Sequence, residues 1–422
     1  MKKSILFLIV VLLLTLTALA QADFTPSMDK NTDAEVIVAG SYANFESLEA
    51  AFDGFRSYYP NVELNYVKLD DYNNNISLAL YGEEAPNIYC LQPWMIGREN
   101  YTFLFESAEN LADPALKINL DSIRSGLLYT DPEGNVPMLP IFTTAFGILV
   151  NEDLFEKEGL SVPTTYPELI SVCEQLKAAG YPSPLMAYNN ARYLYDILIN
   201  ADFLVRIKDD PEAAAKLNAM SPEAAEYMRP TLEFVKDLID RGLIDLEKCS
   251  EEIENDYQSV ILRFFEGDVP MMIANGDTVS GTAKRESLSE NFTKNPFRYS
   301  FYSIPSTDDG LYFVNPVSLY FAVNKNCKDL EMTNEFMRFL SDTATLNEMA
   351  RIKRLITPTT DFSLDGVYSS LGMIDEAHTI NPLTIGLLDE PMVQLRSAAY
   401  MIGTGAMTID DALAAFGTFE NL

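Results

Sequence analysis

The stretch from Asn135 to Gly180 constrains the fold of this chain most strongly, because it places two strands and two helices in immediate succession. Residues 136–144 have the apolar pattern of a strand, which runs straight on into a second apolar strand, Gly147–Val150. Thr165 and Glu168 have the spacing of a capping box at a helix start, and a glycine ends that helix at the close of the stretch. We therefore predict that the first strand leaves one lobe of the protein and that the following elements belong to another.

The N-terminal residues predict export. Two lysines precede an unbroken apolar run at residues 5–14, and the small residues Ala20 and Ala22 suit cleavage of a secretory signal peptide. We therefore predict a signal peptide in residues 1–22, with cleavage at Ala20 or Ala22. Because no cysteine follows the apolar run, we expect a soluble periplasmic or extracellular protein without a lipid anchor.

Strand and helix patterns alternate along the remaining chain, which is typical of sheets covered by helices. Residues 34–40 predict a short buried strand, and the apolar residues of 45–55 recur with the period of a helix. We predict that strands at 299–304 and 311–323 return to the first lobe. The chain would then cross between the lobes near residues 142–146, 275–277 and 325–329.

Two segments resemble the family 1 extracellular solute-binding proteins of ABC importers. The first resembles the family pattern Y-N-K-D-L-F-E-K-A-G-L through Asn151, Asp153, Leu154, Phe155, Glu156, Lys157, Gly159 and Leu160. The second resembles a strand-containing segment of the family through Phe265, Gly267, Met271, Met272 and Gly276. The order of such segments extends the resemblance over about the whole chain that follows the predicted signal peptide.

This resemblance implies an α/β fold with two lobes, similar to the type II periplasmic-binding-protein fold. Each lobe would be a mainly parallel sheet flanked by helices, built from discontinuous chain and joined by hinge crossings. We assign residues 23–143 with 276–327 to lobe 1 and residues 144–275 with 328–422 to lobe 2. The resemblance further implies a monomeric substrate-binding subunit that closes over a carbohydrate and delivers it to the transmembrane subunits of an ABC permease.

The charge of the chain limits its partners. Acidic residues outnumber basic residues by 62 to 30, and the net charge is −32 at pH 7. The predicted signal peptide contains two lysines and no acid, so its removal leaves −34. Such a field repels nucleic acid and anionic lipid, and we expect neither as a partner. The single histidine, His378, and the lack of C-x-x-C spacing predict no metal site, and we expect no cofactor and no catalytic residue.

The candidate ligand-binding residues follow from the predicted fold, because ligands bind outside the carboxyl ends of strands in open parallel sheets. Aromatic faces suit the C–H surfaces of a sugar, and amides and carboxylates suit its hydroxyl groups. Trp94, the only tryptophan, stands at a strand end, where it would stack on a sugar ring or pack within its lobe. For Asp70, Asp71, Asn189 and Asn315, a solvated or capping role is the alternative. The predicted ligand-binding residues are Tyr42, Asp70, Asp71, Gln92, Trp94, Thr143, Tyr188, Asn189, Asn275, Asp277 and Asn315, with Thr144, Asn190 and Arg192 beside them.

Two alternatives to a carbohydrate carrier remain open at this point. The acidic residues at strand ends suit a polyamine or another cation, and a glycerophosphodiester is a further candidate cargo. The other alternative is an enzyme, since thiaminase I resembles these binding proteins and carries a nucleophilic cysteine in the crossover segment. Residues 139–144 contain no cysteine, so that chemistry lacks its nucleophile and we predict that the protein is not an enzyme. Cys90 is the remaining cleft-side thiol candidate, and we expect it and Cys173 to be buried.

Overall fold

The computed structural model describes residues 24–82, 84–187, 193–244, 257–364 and 366–419, so the predicted signal peptide lies outside the described residues. In this part of the chain the strands β1 to β11 are, in order, Ala34–Gly40, Val62–Lys68, Ile88–Leu91, Leu139–Thr143, Phe146–Asn151, Leu185–Met186, Met271–Asn275, Tyr299–Ser303, Phe313–Val314, Val317–Val323 and Thr379–Ile380. The helices α1 to α16 of the same part are Glu46–Arg56, Tyr72–Ala79, Thr102–Glu106, Glu152–Glu158, Tyr166–Ala178, Tyr193–Ile207, Pro211–Asn218, Arg229–Asp240, Tyr257–Phe264, Gly276–Leu288, Glu290–Lys294, Leu330–Leu340, Thr343–Lys353, Pro382–Ile385, Asp389–Gly403 and Ile409–Ala414. None of these helices is both long enough and apolar enough to cross a membrane.

The first sheet has five strands in the order β2-β1-β3-β10-β4. Strand β1 is parallel to β2 and β3, whereas β10 is antiparallel to β3 and β4. Val38 and Ala39 are neighbours on β1, so their side chains point to opposite faces of the sheet, and both are buried. Both faces of the sheet are therefore covered at β1, which explains the largely apolar sequences of β1 and β3, whereas the edge strand β2 alternates and exposes Glu63 and Asn65.

The second sheet has four strands in the order β6-β7-β5-β8, and β9 with β11 forms a separate two-stranded ladder. Strand β5 is antiparallel to β7 and β8, and only the pairing of β6 with β7 is parallel within these four strands. Both large sheets are thus mixed, whereas we predicted mainly parallel sheets. The reason is that β5 and β10 each enter their sheet directly from the other lobe, without the helical connection that joins parallel neighbours.

Two separate hydrophobic cores surround the sheets and define the first lobe and the second lobe. The first core contains Val38, Leu91 and Phe142 of the five-stranded sheet. The second core contains Leu149 and Ile273 of the four-stranded sheet, together with the helices around it. The predicted α/β class with two lobes is confirmed.

The lobe to which the later segments belong differs from the prediction. Strand β8 pairs with β5 over its whole length, so it lies in the second sheet and does not return to the first. Helices α12 and α13 bury Phe336 and Met349 in the first core. The predicted bounds, residues 23–143 with 276–327 and residues 144–275 with 328–422, place both segments with the opposite core.

The chain crosses between the lobes at three places. The first crossing joins β4 to β5 and lies within the predicted range, residues 142–146. The second crossing, residues 315–316, joins β9 to β10, and the third, residues 354–364, follows α13. The chain stays in the second lobe at 275–277, because α10 continues directly from β7 and buries Val279 in the second core. It likewise stays in the first lobe at 325–329, between β10 and α12.

At the start of α5, the predicted capping box can be compared with the hydrogen bonds that the structure shows. The helix begins at Tyr166, directly after Thr165, as the sequence predicted. The hydrogen bonds differ, however, because the Glu168 carboxylate accepts from the backbone N–H and the hydroxyl of Thr164, at 2.8 and 2.9 Å. The Thr165 side chain makes no capping hydrogen bond. The helix start is therefore stabilised one residue earlier than a capping box would place it.

Candidate functional site

A cavity of about 1350 Å³ lies between the two lobes. Thr144 of the first crossing lines this cavity. Six of the predicted ligand-binding residues line it as well: Tyr42, Asp71, Gln92, Trp94, Asn275 and Asp277. The ends of β3 and β7 and the start of β10 open onto this space, as the strand-end rule requires. The structure thus brings residues that are far apart in sequence to one cleft.

Three further predicted residues lie in the described part of the chain but do not line this cavity, and two lie outside that part. The Asp70 side chain is 94% exposed and pairs with Lys68 at 3.1 Å. Thr143 and Asn315 are completely buried at the crossings, where both accept hydrogen bonds from Arg124. Their polarity satisfies other protein groups, so it gave a misleading signal for ligand contact. The other two, Tyr188 and Asn189, lie outside the described residues, as do Asn190 and Arg192.

The first-lobe wall carries a fixed aromatic surface. Trp94 follows β3, is half-buried, and donates its indole N–H to the side-chain oxygen of Gln92. Tyr101 meets the indole edge-to-face at 5.2 Å, and the Arg98 guanidinium lies 5.2 Å from the ring centroid. These contacts fix the orientation of the indole while it still borders the cavity. Trp94 therefore packs against its own lobe and also borders the cleft, and its stacking on a sugar ring stays a prediction.

The second-lobe wall opposite begins at Asn275, the last residue of β7. Its side-chain oxygen accepts from the backbone N–H of Thr278 at 2.9 Å and caps the start of α10. Asp277 lies in the first turn of this helix and accepts from the Ser318 hydroxyl at 3.3 Å. Burial raises the pKa of Asp277, although Ser318 and the positive charge of Lys353 act in the opposite direction. The carboxylate is thus partly shielded from water and can accept hydrogen bonds from hydroxyl groups.

A chain of four alternating charges spans the cleft. Arg98 of the first lobe pairs with Asp389 at the start of α15 in the second lobe. Asp389 also pairs with Arg396 at 3.4 Å, and Arg396 lies 3.7 Å from Asp196. Leu388 packs so closely on the backbone of Gly97 that a Cβ there would lie 2.8 Å from its methyl carbon. This side of the cleft therefore holds the lobes together by charge and by close packing.

Among the second-lobe residues on the cavity wall that were not predicted from the sequence, Arg285 and Asn200 have buried polar atoms without a partner. Arg285 is 8% exposed, its Nε has no hydrogen-bond partner, and one Nη reaches only the Gly281 carbonyl at 3.4 Å. The Asn200 side-chain oxygen is also buried without a partner. A signal for Arg285 was available, because Asp277, Gly281 and Arg285 recur at intervals of four on one face of α10. Asn200 offered a weaker signal as an amide inside an apolar helix.

The described residues contain no cluster of histidine, cysteine and carboxylate side chains that could hold a metal ion. Cys90 and Cys173 are buried free thiols, as predicted, and burial raises the pKa of both. A protonated, buried thiol is a poor nucleophile. The fourth cysteine, Cys249, lies outside the described residues.

Two lobes of mixed sheet and helix around a cleft are also the architecture of solved two-lobed sugar-binding proteins, such as the sugar-binding protein MalE of Xanthomonas citri. The profile of the bacterial extracellular solute-binding protein family matches residues 39–345. Since this is more than half of the sequence, the chain belongs to that family, and the predicted resemblance is confirmed. No curated protein matches the chain by sequence.

Solved structures show the same fold at low sequence identity. Ligand-free RafE from Streptococcus pneumoniae is similar with a TM-score of 0.70 and 17% identity, over 93% of this chain and 98% of that one. RafE in complex with raffinose is similar with a TM-score of 0.67 and 17% identity, over 90% and 98%. A sugar transporter protein of Bacillus licheniformis in complex with stachyose has a TM-score of 0.64 and 15% identity, over 90% and 97%. The family to which the chain belongs is described as one of solute-binding proteins.

Proposed function

We propose that this protein is the extracytoplasmic substrate-binding subunit of an ABC importer and that it binds an oligosaccharide between its lobes. The observation that carries this proposal is the cavity of about 1350 Å³ whose walls come from both lobes. Its first-lobe wall offers the faces of Tyr42 and Trp94, and amides and carboxylates surround them. This combination suits a ligand with apolar ring faces and many hydroxyl groups.

The size of the cavity favours an oligosaccharide over a monosaccharide. Pockets for small molecules usually enclose roughly 300–1,000 Å³, and this cavity exceeds that range. The similar structures in complex with raffinose and stachyose show the same fold with a sugar of more than two rings bound. At 15–17% identity they support the architecture, and the choice of sugar for this chain rests on its own cavity.

The charges of the cavity favour a neutral ligand over a polyamine or a metal cation. Among the described lining residues, five carboxylates face five cationic side chains: Glu46, Asp71, Asp196, Asp277 and Asp389 against Arg98, Lys284, Arg285, Lys353 and Arg396. In the whole chain, by contrast, acidic residues outnumber basic ones about twofold. A cationic cargo would need carboxylates in excess, and Asp196 and Asp389 are already paired with arginines.

We assign the following roles to the cleft residues. Trp94 stacks on a sugar ring, and Asp71 of the first lobe and Asp277 of the second accept hydrogen bonds from its hydroxyl groups. The unpartnered Asn200 oxygen accepts and the unpartnered Arg285 Nε donates, so one polyhydroxylated ligand would satisfy both buried atoms. Because only the closed form lets both lobes touch the ligand, binding stabilises that form.

The same proposal includes the cellular setting. We infer that residues 1–22 direct export, that the remaining chain acts as a soluble monomer, and that the closed, loaded form delivers its ligand to the transmembrane subunits of a permease. The family is extracellular, which supports this setting.

A ligand screen tests the proposal directly. We expect a trisaccharide or tetrasaccharide to raise the thermal midpoint of the purified protein, since a ligand at one hundred times its Kd stabilises by about 2.7 kcal/mol. Monosaccharides, spermidine, divalent metal ions and a glycerophosphodiester form the comparison set. The glycerophosphodiester tests whether Arg285 and Lys284 select a phosphate instead. Stabilisation by spermidine or by the phosphodiester, with none by any saccharide, would refute the carbohydrate proposal.

A further inference from the structure

The three crossings between the lobes are hydrogen-bonded to one another. The backbone of Thr143 in the first crossing exchanges two hydrogen bonds with Ile356 in the third, at 2.8 and 3.1 Å. The N–H of Thr144 donates to the Pro316 carbonyl at the end of the second crossing, at 2.9 Å. The Asn315 side-chain amide donates in return to the Thr144 carbonyl, at 2.5 Å. Any rotation of one lobe against the other must therefore move this small bonded unit.

A single guanidinium contacts all three crossings. Arg124 comes from the first-lobe segment that precedes β4, and its Nη1 donates to the Asn315 side-chain oxygen at 2.7 Å. Its Nη2 donates to the Thr357 carbonyl at 2.8 Å and to the Thr143 hydroxyl at 3.3 Å. The guanidinium carbon also lies 4.1 Å from the ring centroid of Phe362, which packs against the second core. Among the described residues, one side chain thus connects each crossing with both lobes.

Burial of the positive charge of Arg124 costs more free energy than a purely structural contact requires. Within the described residues, the acceptors of the Arg124 guanidinium are an amide, a hydroxyl and a backbone carbonyl, all neutral, and its Nε is buried without a hydrogen-bond partner. Burial lowers the pKa of Arg124 to about 10, so the side chain stays protonated at neutral pH. A buried charge that is held by neutral acceptors alone is expensive. The planar fork of an arginine, however, can serve two or three acceptors in fixed directions, which the point charge of a lysine cannot do.

The contacts continue from the crossings to the cavity wall. Thr144, which the Asn315 amide contacts, accepts from the backbone N–H of Gly276 through its hydroxyl at 2.6 Å. A Cβ on Gly276 would lie 2.4 Å from that hydroxyl, so this approach requires a glycine. Asp277 follows immediately and lines the cavity. A path of hydrogen bonds therefore leads from Arg124, which does not line the cavity, to a residue that does.

We propose that Arg124 is a positioning residue of the hinge, whose guanidinium keeps the three crossings in register and so sets the equilibrium between open and closed forms. Without it, the crossings move independently and the ligand-free chain samples a broader range of lobe orientations. The effect on the hinge is independent of the cargo, whereas the effect on affinity rests on the proposed function. Affinity falls in proportion to the fraction of molecules that can close correctly.

Hydrogen exchange of the ligand-free, full chain tests the hinge. In Arg124→Gln, we expect peptides that contain Thr143, Thr144 and Ile356 to exchange about ten- to a hundredfold faster, the range for loss of one hydrogen bond to a charged group. Arg124→Lys should also exchange faster there, because its ammonium cannot serve all three acceptors. Asn315→Ala is a milder change and should speed hydrogen exchange mainly at the first and second crossings. It replaces the arginine variants in this test if they do not fold.

Arg338→Gln is the matched control. Arg338 is also largely buried, but it pairs with Glu335 within the first lobe, away from the crossings. Its loss should lower the thermal midpoint and leave exchange at the crossings unchanged. If Arg124→Gln lowers the midpoint in the same way and exchange at the crossings does not change, Arg124 is merely structural and the proposal is overturned.

Calorimetry with the oligosaccharide found in the screen provides the second readout. We expect about tenfold weaker binding by Arg124→Gln, because fewer molecules occupy the form that can close. Unchanged affinity together with faster exchange would overturn the link between hinge and binding. Faster exchange at the crossings of a chain that binds no saccharide would support the hinge assignment and refute the carbohydrate proposal.

Discussion

Replacement of Trp94 by alanine should weaken ligand binding, and it should destabilise the protein by less than the loss of a fully buried tryptophan would. Trp94 is half-buried and borders the cavity, so its ring has a protein side and a ligand side. On the protein side it contacts Tyr101 and Arg98, each at 5.2 Å. The substitution removes both kinds of contact, and the two losses appear in different measurements.

The expected magnitudes follow from these contacts. Loss of the aromatic pair costs about 0.5–1.5 kcal/mol, and loss of the contact with Arg98 about 0.5–1 kcal/mol. The free energy of unfolding should thus fall by about 1–2.5 kcal/mol, less than the roughly 3–5 kcal/mol for a fully buried tryptophan. Removing a stacked aromatic anchor from a ligand costs about 1–3 kcal/mol, which corresponds to a Kd roughly five to 150 times higher.

The assay uses the fact that Trp94 is the only tryptophan of the chain. Titration of the native protein with an oligosaccharide should change the tryptophan emission, because this indole alone produces it. Affinities of the native protein and of Trp94→Ala are then compared by calorimetry, since the variant has no tryptophan. Trp94→Phe keeps an aromatic face and should retain most of the affinity.

Tyr58→Ala supplies the stability control. Tyr58 is a half-buried first-lobe aromatic residue that meets Phe24 edge-to-face at 5.2 Å, and it does not line the cavity. Its loss should lower stability and leave affinity unchanged. If Trp94→Ala instead binds the oligosaccharide as tightly as the native protein, or if saturation leaves the emission unchanged, the stacking role is wrong.

Three further predictions concern the charges and thiols around the cleft. Arg98→Gln and Asp389→Asn should each weaken ligand binding. A double-mutant cycle should give a coupling free energy of about 1 kcal/mol that decreases as the salt concentration rises. Additive effects of the two substitutions would show that the pair does not couple the lobes. Asp277→Asn should raise the thermal midpoint at pH 7, because burial raises the pKa of this carboxyl group and makes its ionisation costly. The gain in thermal midpoint should vanish as the pH falls below that pKa. A gain that persists at such low pH would contradict this reasoning. Cys90 and Cys173 should resist alkylation by a maleimide in the native protein and react in urea, which mass spectrometry detects; rapid native labelling would contradict their burial.

The candidate site could be predicted where it depends on local position. Gln92, Trp94 and Asp277 directly follow the ends of strands, and the end of a strand in this fold opens onto the cleft. Thr143 and Asn315 have similar chemistry but point to Arg124, which precedes Asn315 by 191 residues. No local pattern shows such a partner, so the sequence could not distinguish a ligand contact from a contact within the hinge.

The sequence by itself determined the elements, their order and the family, because periodicity and helix signals depend on neighbouring residues alone. The tertiary structure decided which core each amphipathic element joins, since the apolar face of β8 or of α12 does not itself identify the surface on which it packs. It also decided the pairing direction of the strands and the place where the chain changes lobe. These are contacts between distant segments, and their free energy depends on the partner surface, which no single segment contains.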